Sequence, residues 1–160
     1  MKNQILSLIE RNSRLTPHEI SVMTGFEEKS VCELLCALEK DRVICGYNTL
    51  IDWDKTDKNF VTALIEVKVV PQRGIGFDKI AKRIINFDEV KACYLMSGGF
   101  DFTIIVEGKT IKEVAAFVSE KLSPLESVMS TATHFVLKKY KDHGVVIEDN
   151  KDADERMAIS

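Results

Sequence analysis

Apolar residues in the first third of the chain recur at the spacing of an α-helix. Residues 3–11 and residues 28–41 each place their large apolar side chains on one stripe, which predicts two amphipathic helices. Between them, Thr16-Pro17-His18-Glu19 combines a capping box with proline at the first helical position, so another helix begins there and ends at Thr24-Gly25-Phe26. Three helices with a tight glycine-containing turn predict a winged-type helix-turn-helix unit, with a small helical dimerisation arm as the alternative.

The pattern changes after the third helix. Residues 43–52 alternate weakly between apolar and polar side chains and predict a connecting strand. Residues 53–59 are mostly charged and predict a linker. We therefore expect a helix-turn-helix domain with its connecting strand at residues 1–52 and a second domain at residues 60–141.

Alternation of apolar and polar residues dominates the second domain and predicts strands. The predicted elements are a strand from 61 that Pro71 stops, a helix over 77–86, strands over 90–96 and 101–107, a helix opened by a capping box at 110–113, and a strand over 128–139. The β-α-β-β-α-β order predicts a ferredoxin-like domain. The fold class is therefore α+β.

One face of such a sheet carries both helices, so the other face needs a cover. Leu64, Val70 and Ile105 are candidates for that open face. A second copy of the chain is the simplest cover, and we expect a homodimer. Residues 142–160 are acidic and poor in large apolar side chains, so we expect a mobile tail there.

Composition narrows the class of protein. Hydrophobic residues make up 45% of the chain and charged residues 29%, as in globular proteins, and no apolar run approaches the roughly 18–20 residues of a membrane span. The start, Met1-Lys2-Asn3-Gln4, leads directly into a polar-interrupted helix, so we expect no signal peptide and a cytoplasmic protein. The cysteines show no disulfide framework, and we expect reduced thiols at Cys32, Cys36, Cys45 and Cys93.

The net charge of −3 is unevenly distributed. Residues 1–56 carry 7 Lys/Arg against 9 Asp/Glu, residues 57–141 carry 13 against 10, and residues 142–160 carry 2 against 6. A DNA-reading unit usually presents a basic surface. The slightly acidic first segment therefore limits the DNA affinity that its helices can provide.

Four segments resemble, in register, the sequence pattern of one known family. They are Arg11-Asn12-Ser13-Arg14-Leu15-Thr16 before the second helix, Leu38-Glu39-Lys40-Asp41-Arg42-Val43-Ile44 at the exit of the third, Tyr94-Leu95-Met96-Ser97-Gly98-Gly99-Phe100-Asp101-Phe102 at the turn, and Ser130-Thr131-Ala132-Thr133-His134-Phe135-Val136-Leu137 in the last strand. Over residues 1–141 the chain resembles the Lrp/AsnC, or feast/famine, family of prokaryotic transcription regulators.

This resemblance implies a DNA-binding transcription regulator that responds to an amino acid or a related small effector. It implies dimers that form through the C-terminal sheets and assemble further into tetramers or octamers, with double-stranded operator DNA and the effector as partners and no membrane. The effector would bind near the glycine-containing turn, between dimers, with the candidate residues Ser97, Gly98, Gly99, Phe100, Asp101 and Thr133. DNA would contact the third helix and the segment before the second, with the candidate residues Arg11, Arg14, Glu28, Lys29, Ser30, Cys32 and Glu33.

Two positions of the third helix depart from the family pattern. Glu27 stands where family members usually carry a Ser cap, and Leu34 where they usually carry Arg. An oligomeric metabolite-sensing module with weakened or lost operator binding is therefore the alternative function. Asp101 also has two interpretations, because its carboxylate suits either a pocket for a zwitterion or the capping of backbone amides.

The sequence predicts no catalytic or metal chemistry. Haem-biosynthetic decarboxylases share the two-domain architecture, but Val90-Lys91-Ala92-Cys93-Tyr94-Leu95 lacks the His and Arg that they carry there. No nucleophile–base pair or carboxylate dyad is visible. Cys32 and Cys36 have no further ligand pair beside them, which favours inert thiols over a metal site. We expect no enzyme, no cofactor and no metal.

Overall fold

The computed structural model describes residues 1–70 and 76–147. Contacts within the chain group it into two compact units, Met1–Ile51 and the chain from Asp52 onward. Among the helices of the described ranges, none is long and apolar enough to cross a membrane.

The first unit consists of three helices around one small core. α1 spans Lys2–Arg11, α2 spans Pro17–Thr24 and α3 spans Glu28–Lys40, each within a residue of the predicted bounds. Each helix contributes one fully buried side chain, and these are Ile5, Ile20 and Val31. Burying a side chain of this size stabilises a fold by about 1.5–3 kcal/mol, so this short unit depends strongly on the three contacts.

The predicted capping box starts α2. The Thr16 hydroxyl accepts from the Glu19 N–H at 3.2 Å, and the Glu19 carboxylate accepts from the Thr16 N–H at 2.7 Å. These hydrogen bonds, led by the backbone one from Thr16, lower the pKa of Glu19 below its ordinary 4.5. Gly25 then ends α2 with φ of +74°, a conformation that favours glycine, and turns the chain into α3.

α3 ends in a Schellman motif. Arg42 donates its N–H to the Glu39 carbonyl at 3.1 Å, and Val43 donates to the Leu38 carbonyl at 2.9 Å. This motif places Arg42 in the left-handed region, with φ of +57°. A residue with a Cβ atom therefore occupies a position that usually belongs to glycine.

The connecting strand predicted over residues 43–52 is not formed within the chain, and the helical unit has no strand that would act as a wing. An extended segment becomes a strand only when another strand bonds to it, and none of the described strands does so here. The segment instead exposes the large apolar side chains of Val43, Tyr47, Leu50 and Ile51. The predicted linker contains one short 3₁₀ turn, Trp53–Lys55.

The second unit is a four-stranded antiparallel sheet with two helices on one face. Its elements are β1 (Val61–Val69), α4 (Phe77–Ile84), β2 (Val90–Leu95), β3 (Phe102–Gly108), α5 (Ile111–Ala116), a π-helical continuation (Phe117–Leu122) and β4 (Val128–Phe135). The strand order is β2-β3-β1-β4. Element order and strand order together confirm the predicted ferredoxin-like domain.

The two faces of the sheet differ because side chains alternate along each strand. One face packs against α4 and α5 and forms the core, with buried residues that include Ala63, Ile65, Val67, Val69, Phe102, Ile104 and Val106. The other face is open in the single chain. Leu64 and Ile105 lie opposite each other there, as predicted. Val70 follows the end of β1 and is 51% exposed.

The C-terminal end of the sheet differs from the prediction in two places. β4 ends at Phe135 and not at residue 139. Phe135 pairs with Ala63, and β1 begins at Val61, only two residues before Ala63, so β1 is too short to pair with residues up to 139. The mobile tail predicted from residue 142 begins with a short hairpin instead, formed by β5 (Lys141–Asp142) and β6 (Val145–Val146). The remainder of that tail, residues 148–160, lies outside the described residues.

Candidate DNA-binding and effector sites

α2 and α3 form a helix-turn-helix that is fixed by side-chain contacts across the turn. The Ser21 hydroxyl donates to the Phe26 carbonyl at 2.6 Å, and the His18 Nδ1 lies 2.9 Å from a carboxylate oxygen of Glu28. Val31 and Leu38 turn inward, while the opposite side of α3 is solvent-exposed. This arrangement leaves one face of α3 available to enter a groove of DNA.

All seven predicted DNA-binding residues lie in the helical unit. Arg11 ends α1, and Arg14 follows in the turn before α2, where its N–H bonds to the Asn12 side chain at 3.1 Å. The other five are on α3: Glu28, Lys29, Cys32 and Glu33 are exposed, and Ser30 is half-buried. The Ser30 hydroxyl faces the carboxylate of Glu27 at 3.4 Å.

The exposed start of α3 is acidic. Glu27, Glu28 and Glu33 surround the single cation Lys29. Glu27 stands at the N-cap without a side-chain capping bond, so its carboxylate remains at the surface. Leu34, which takes the place of the arginine usual in the family pattern, packs against the helical core instead. This position therefore supports the fold and provides no phosphate contact.

The thiols of α3 adjoin a cleft within the helical unit. Cys32 and Cys36 lie one turn apart, and the cleft has a volume of about 260 Å³, with its walls formed by Ile9, Ser13, Leu15, Pro17, Cys32, Leu35, Cys36, Glu39 and Tyr47. The Tyr47 hydroxyl donates to the Glu39 carboxylate at 2.8 Å. Burial, followed by this hydrogen bond, raises the pKa of Tyr47. The phenol thus stays protonated and holds the segment after α3 against the helix.

The glycine-containing turn between β2 and β3 is exposed. Ser97, Gly98, Gly99 and Phe100 all lie at the surface. Backbone hydrogen bonds close the turn at its base, where Met96 donates to the Asp101 carbonyl at 2.8 Å. The turn therefore offers backbone amides to a ligand without unfolding the strands on either side.

Asp101 fixes this turn to β1. Its N–H donates to the Val67 carbonyl at 3.0 Å, and its carboxylate Oδ2 accepts from the Val69 N–H at 2.8 Å. β3 begins only at Phe102, opposite Val67, and the register of β1 shifts between Lys68 and Val69. The Asp101 carboxylate thus accepts a hydrogen bond from β1 at the point where the pairing of β3 with β1 has ended. Of the two interpretations of Asp101, backbone capping is realised, on an amide of β1.

Thr133 lies apart from the turn within one chain. It sits on β4 opposite Ile65, on the helix-covered side of the sheet. β1 separates β4 from β3, so two strand spacings, or about 10 Å, lie between Thr133 and the strand that the turn enters. A single chain does not bring all six predicted effector residues together.

Two groups near these sites were not predicted from the sequence. The Val69 amide is 32 residues from Asp101, and a backbone donor leaves no signal in the sequence. His134 and Glu66 meet across β4 and β1 on the open face, with 3.2 Å between Nε2 and Oε2. Their pairing would have followed from the strand register, which the alternation alone does not provide.

A helix-turn-helix unit followed by a separate ferredoxin-like sheet unit is typical of two-domain DNA-binding regulators. Comparisons with known proteins make the class specific. The protein-family model described as the Lrp/AsnC ligand binding domain matches residues 62–146 of this chain. The chain belongs to the Lrp/AsnC family of HTH-type transcriptional regulators.

Individual relatives agree with this membership. An HTH-type transcriptional regulator of Bacillus subtilis (strain 168), YugG, is 46% identical over 160 residues, which cover 99% of this chain and 96% of the relative. The leucine-responsive regulatory protein of Haemophilus influenzae is 24% identical, with 90% and 86% covered. A solved complex of a Neisseria meningitidis transcriptional regulator with L-Met has the same fold, at a TM-score of 0.69 and 21% identity, with 94% and 95% covered.

Proposed function

We propose that this regulator binds operator DNA through α3 and that an amino acid or a related small effector at the β2–β3 turn controls it. The observation that carries the proposal is the helix-turn-helix itself. α2 and α3 are joined through left-handed Gly25 and packed on a common core, which leaves one face of α3 exposed. The second helix of this motif is the one that enters the major groove. The cytoplasm is the compartment in which such a regulator meets its operator.

The charges of the helical unit indicate weak, salt-sensitive DNA binding. Arg11, Arg14 and Lys29 are the cations near the proposed contact, so a dimer provides six. Releasing about six counterions from these contacts contributes roughly −5 to the slope of log affinity against log salt concentration. Glu27 and Glu33 repel phosphates from the same surface, and Glu28 contacts His18 at 2.9 Å.

An α-amino acid fits the chemistry of the turn. The exposed amides of Ser97, Gly98 and Gly99 suit a carboxylate. Among the described residues, none donates to Oδ1 of Asp101, and that oxygen suits an ammonium group. The leucine-responsive relative and the L-Met complex of the Neisseria meningitidis regulator support an effector with an apolar side chain.

The effector pocket requires more than one copy of the chain. Thr133 and the turn are two strands apart in one chain, so we infer that a second copy brings the two regions together. The open face of the sheet, with Leu64 and Ile105 at its centre, is suited to the first contact between copies. We infer a homodimer through this face and further association of dimers into a tetramer or an octamer.

Gel-shift titration on the DNA upstream of the protein's own gene tests the operator proposal. We expect binding at low salt whose affinity falls at least as steeply as these cations predict when the salt concentration rises. We also expect the affinity to change when at least one of the amino acids is added. Lys29→Ala should weaken binding, whereas Glu33→Lys should strengthen it without improving the preference over unrelated DNA. Lys2→Ala, which removes an exposed cation at the start of α1, is the control.

The outcome that contradicts the operator proposal is the absence of a shift even at low salt. Tight, sequence-specific binding at high salt that ignores Lys29 would show that another surface reads the DNA. The effector proposal has its own test, because calorimetric titration of the protein with each of the twenty amino acids needs no DNA. Absence of heat with all of them would contradict an amino-acid effector.

A further inference from the structure

α4 carries three cations on one exposed face. Lys79, Lys82 and Arg83 are all exposed, and their spacing of three and four residues makes them neighbours on the helix surface. Within residues 1–70 and 76–147, their side chains form no ion pair and no hydrogen bond. Asp78, in the first turn, is the one acidic residue of the helix. The charge of this face is therefore not neutralised inside the unit.

The opposite side of α4 is firmly packed. Ile80 and Ile84 are buried in the core of the sheet unit, and the ring of Phe77 meets that of Phe102 edge-on, with 6.0 Å between the centroids. Rotation of the helix would expose these apolar side chains, so the cationic face has a fixed outward direction. The three cations therefore lie on a rigid helix surface and not on a mobile loop.

The exposed face of α4 has the positive charge that the start of α3 lacks. The start of α3 presents one exposed cation, Lys29, among three carboxylates. Phosphate contacts from Lys and Arg supply most of the sequence-independent affinity of DNA-binding proteins. A regulator with so few cations on its reading helix needs them elsewhere, and α4 provides three on a rigid surface.

We propose that α4 is a second DNA-contact surface, whose cations bind phosphates of the DNA that the regulator holds. The contact is to the DNA backbone, so it adds affinity without reading the sequence. The inference rests on the proposed operator binding by α3. It assigns the sheet unit a role in DNA affinity beside effector binding and assembly.

The test compares two double variants that remove the same charge. Lys79→Ala/Lys82→Ala removes two cations of α4, and Lys109→Ala/Lys112→Ala removes two exposed cations from the turn and helix after β3. Alanine suits a helix surface, so the α4 variant should fold. Helical circular dichroism and light scattering check that fold and assembly are unchanged.

We expect the α4 variant to lose about tenfold or more in DNA affinity at low salt, because four phosphate contacts disappear per dimer. Its slope of log affinity against log salt should become shallower by about 3–4. The loss should be the same on the upstream DNA and on unrelated DNA, and the control pair should change neither quantity by more than about twofold. Lys82→Glu alone should weaken binding more than Lys82→Ala.

Three results overturn the inference. They are an unchanged affinity of the α4 variant, an equal loss in the control pair, and a loss confined to the upstream DNA. Failure of the proposed function is distinguishable from these, because the unmodified protein would then bind no DNA at any salt concentration. That result would remove both proposals together.

Discussion

One carboxylate, that of Asp101, has two oxygens with different environments. Oδ2 accepts from the Val69 amide at 2.8 Å, and Oδ1 is free of hydrogen bonds from the described residues. In Asp101→Asn, the side-chain oxygen can still accept from the Val69 N–H but carries no charge. In Asp101→Ala, the side chain neither accepts a hydrogen bond nor carries a charge. Substitution at this residue therefore separates support of the turn from attraction of an ammonium group.

Asp101→Ala should lose both properties. The Val69 amide loses its acceptor, at a cost of about 1–2 kcal/mol, and should exchange its hydrogen faster in the effector-free protein. Asp101→Asn should keep the slow exchange at Val69 but bind the effector about tenfold more weakly, because a charge-assisted hydrogen bond is lost. Hydrogen exchange and calorimetry measure the two properties separately. Effector binding by Asp101→Asn as tight as that of the unmodified protein would leave the carboxylate a purely structural role.

Arg42 is a second residue with a specific backbone requirement. Its φ of +57° is unfavourable for any residue with a Cβ atom, and the Schellman bonds at the end of α3 maintain it. We expect Arg42→Gly to stabilise the helical unit by about 0.5–1 kcal/mol, whereas Arg42→Ala should give no gain. Urea unfolding followed by helical circular dichroism measures the difference. Equal stability of the glycine and alanine variants would show that the conformation carries no strain.

At the scale of the elements, the start of α2 should make stability depend on pH. The folded pKa of Glu19 lies below its ordinary 4.5, because the backbone and side chain of Thr16 bond to the ionised carboxylate. The ionised form therefore stabilises the fold above pH 4.5, and this contribution is lost as the pH falls through the lower folded pKa. The unmodified protein should therefore be more stable than Glu19→Gln above pH 4.5. This difference in the free energy of unfolding should disappear as the pH falls through the folded pKa of Glu19.

Thermal unfolding at a series of pH values checks the prediction for α2. Glu10→Gln removes another exposed carboxylate, on α1, and controls for the general loss of negative charge. A difference between the unmodified protein and Glu19→Gln that stays constant down to the lowest pH would show that the hydrogen bonds from Thr16 do not favour the ionised form.

Contacts between residues close in the sequence were predicted correctly, whereas contacts between distant residues were not. The start of α2 depends on Thr16 and Glu19, three residues apart, and the sequence predicted it. The ferredoxin-like order also followed, because alternation and helical periodicity are local patterns. The partner of Asp101 is 32 residues away, on a bulged strand, and no local pattern indicates it. Residues 43–52 have a strand-like pattern, but none of the described strands pairs with them, so the pattern alone gave a wrong prediction.

At the scale of the whole molecule, the open sheet face predicts self-association. Leu64 and Ile105 face outward at its centre, and a single chain leaves them uncovered. We expect light scattering at micromolar concentration to give a dimer or an even multiple of the 18.1 kDa chain. Leu64→Asp should shift the population toward the monomer, because association would bury an unpaired charge.

The control for assembly is Ile111→Asp. Ile111 is 57% exposed at the start of α5, on the helix-covered side of the sheet, so its substitution adds the same charge away from the open face. It should leave the mass unchanged. A stable monomer for the unmodified protein would contradict assembly through this face.

The pairing of β1 also determines the order in which the protein matures during translation. β1 is central, and its neighbour β4 lies far along the chain, with His134 meeting Glu66 from 68 residues later. The helical unit needs only contacts within Met1–Ile51, so it can fold while the ribosome is still synthesising the rest. The sheet cannot close until β4 has emerged, and until then the apolar strand β1 keeps an unpaired edge. The helical unit can therefore be complete before the sheet closes, and sheet closure, a late step, sets the earliest moment at which the inferred dimer can form.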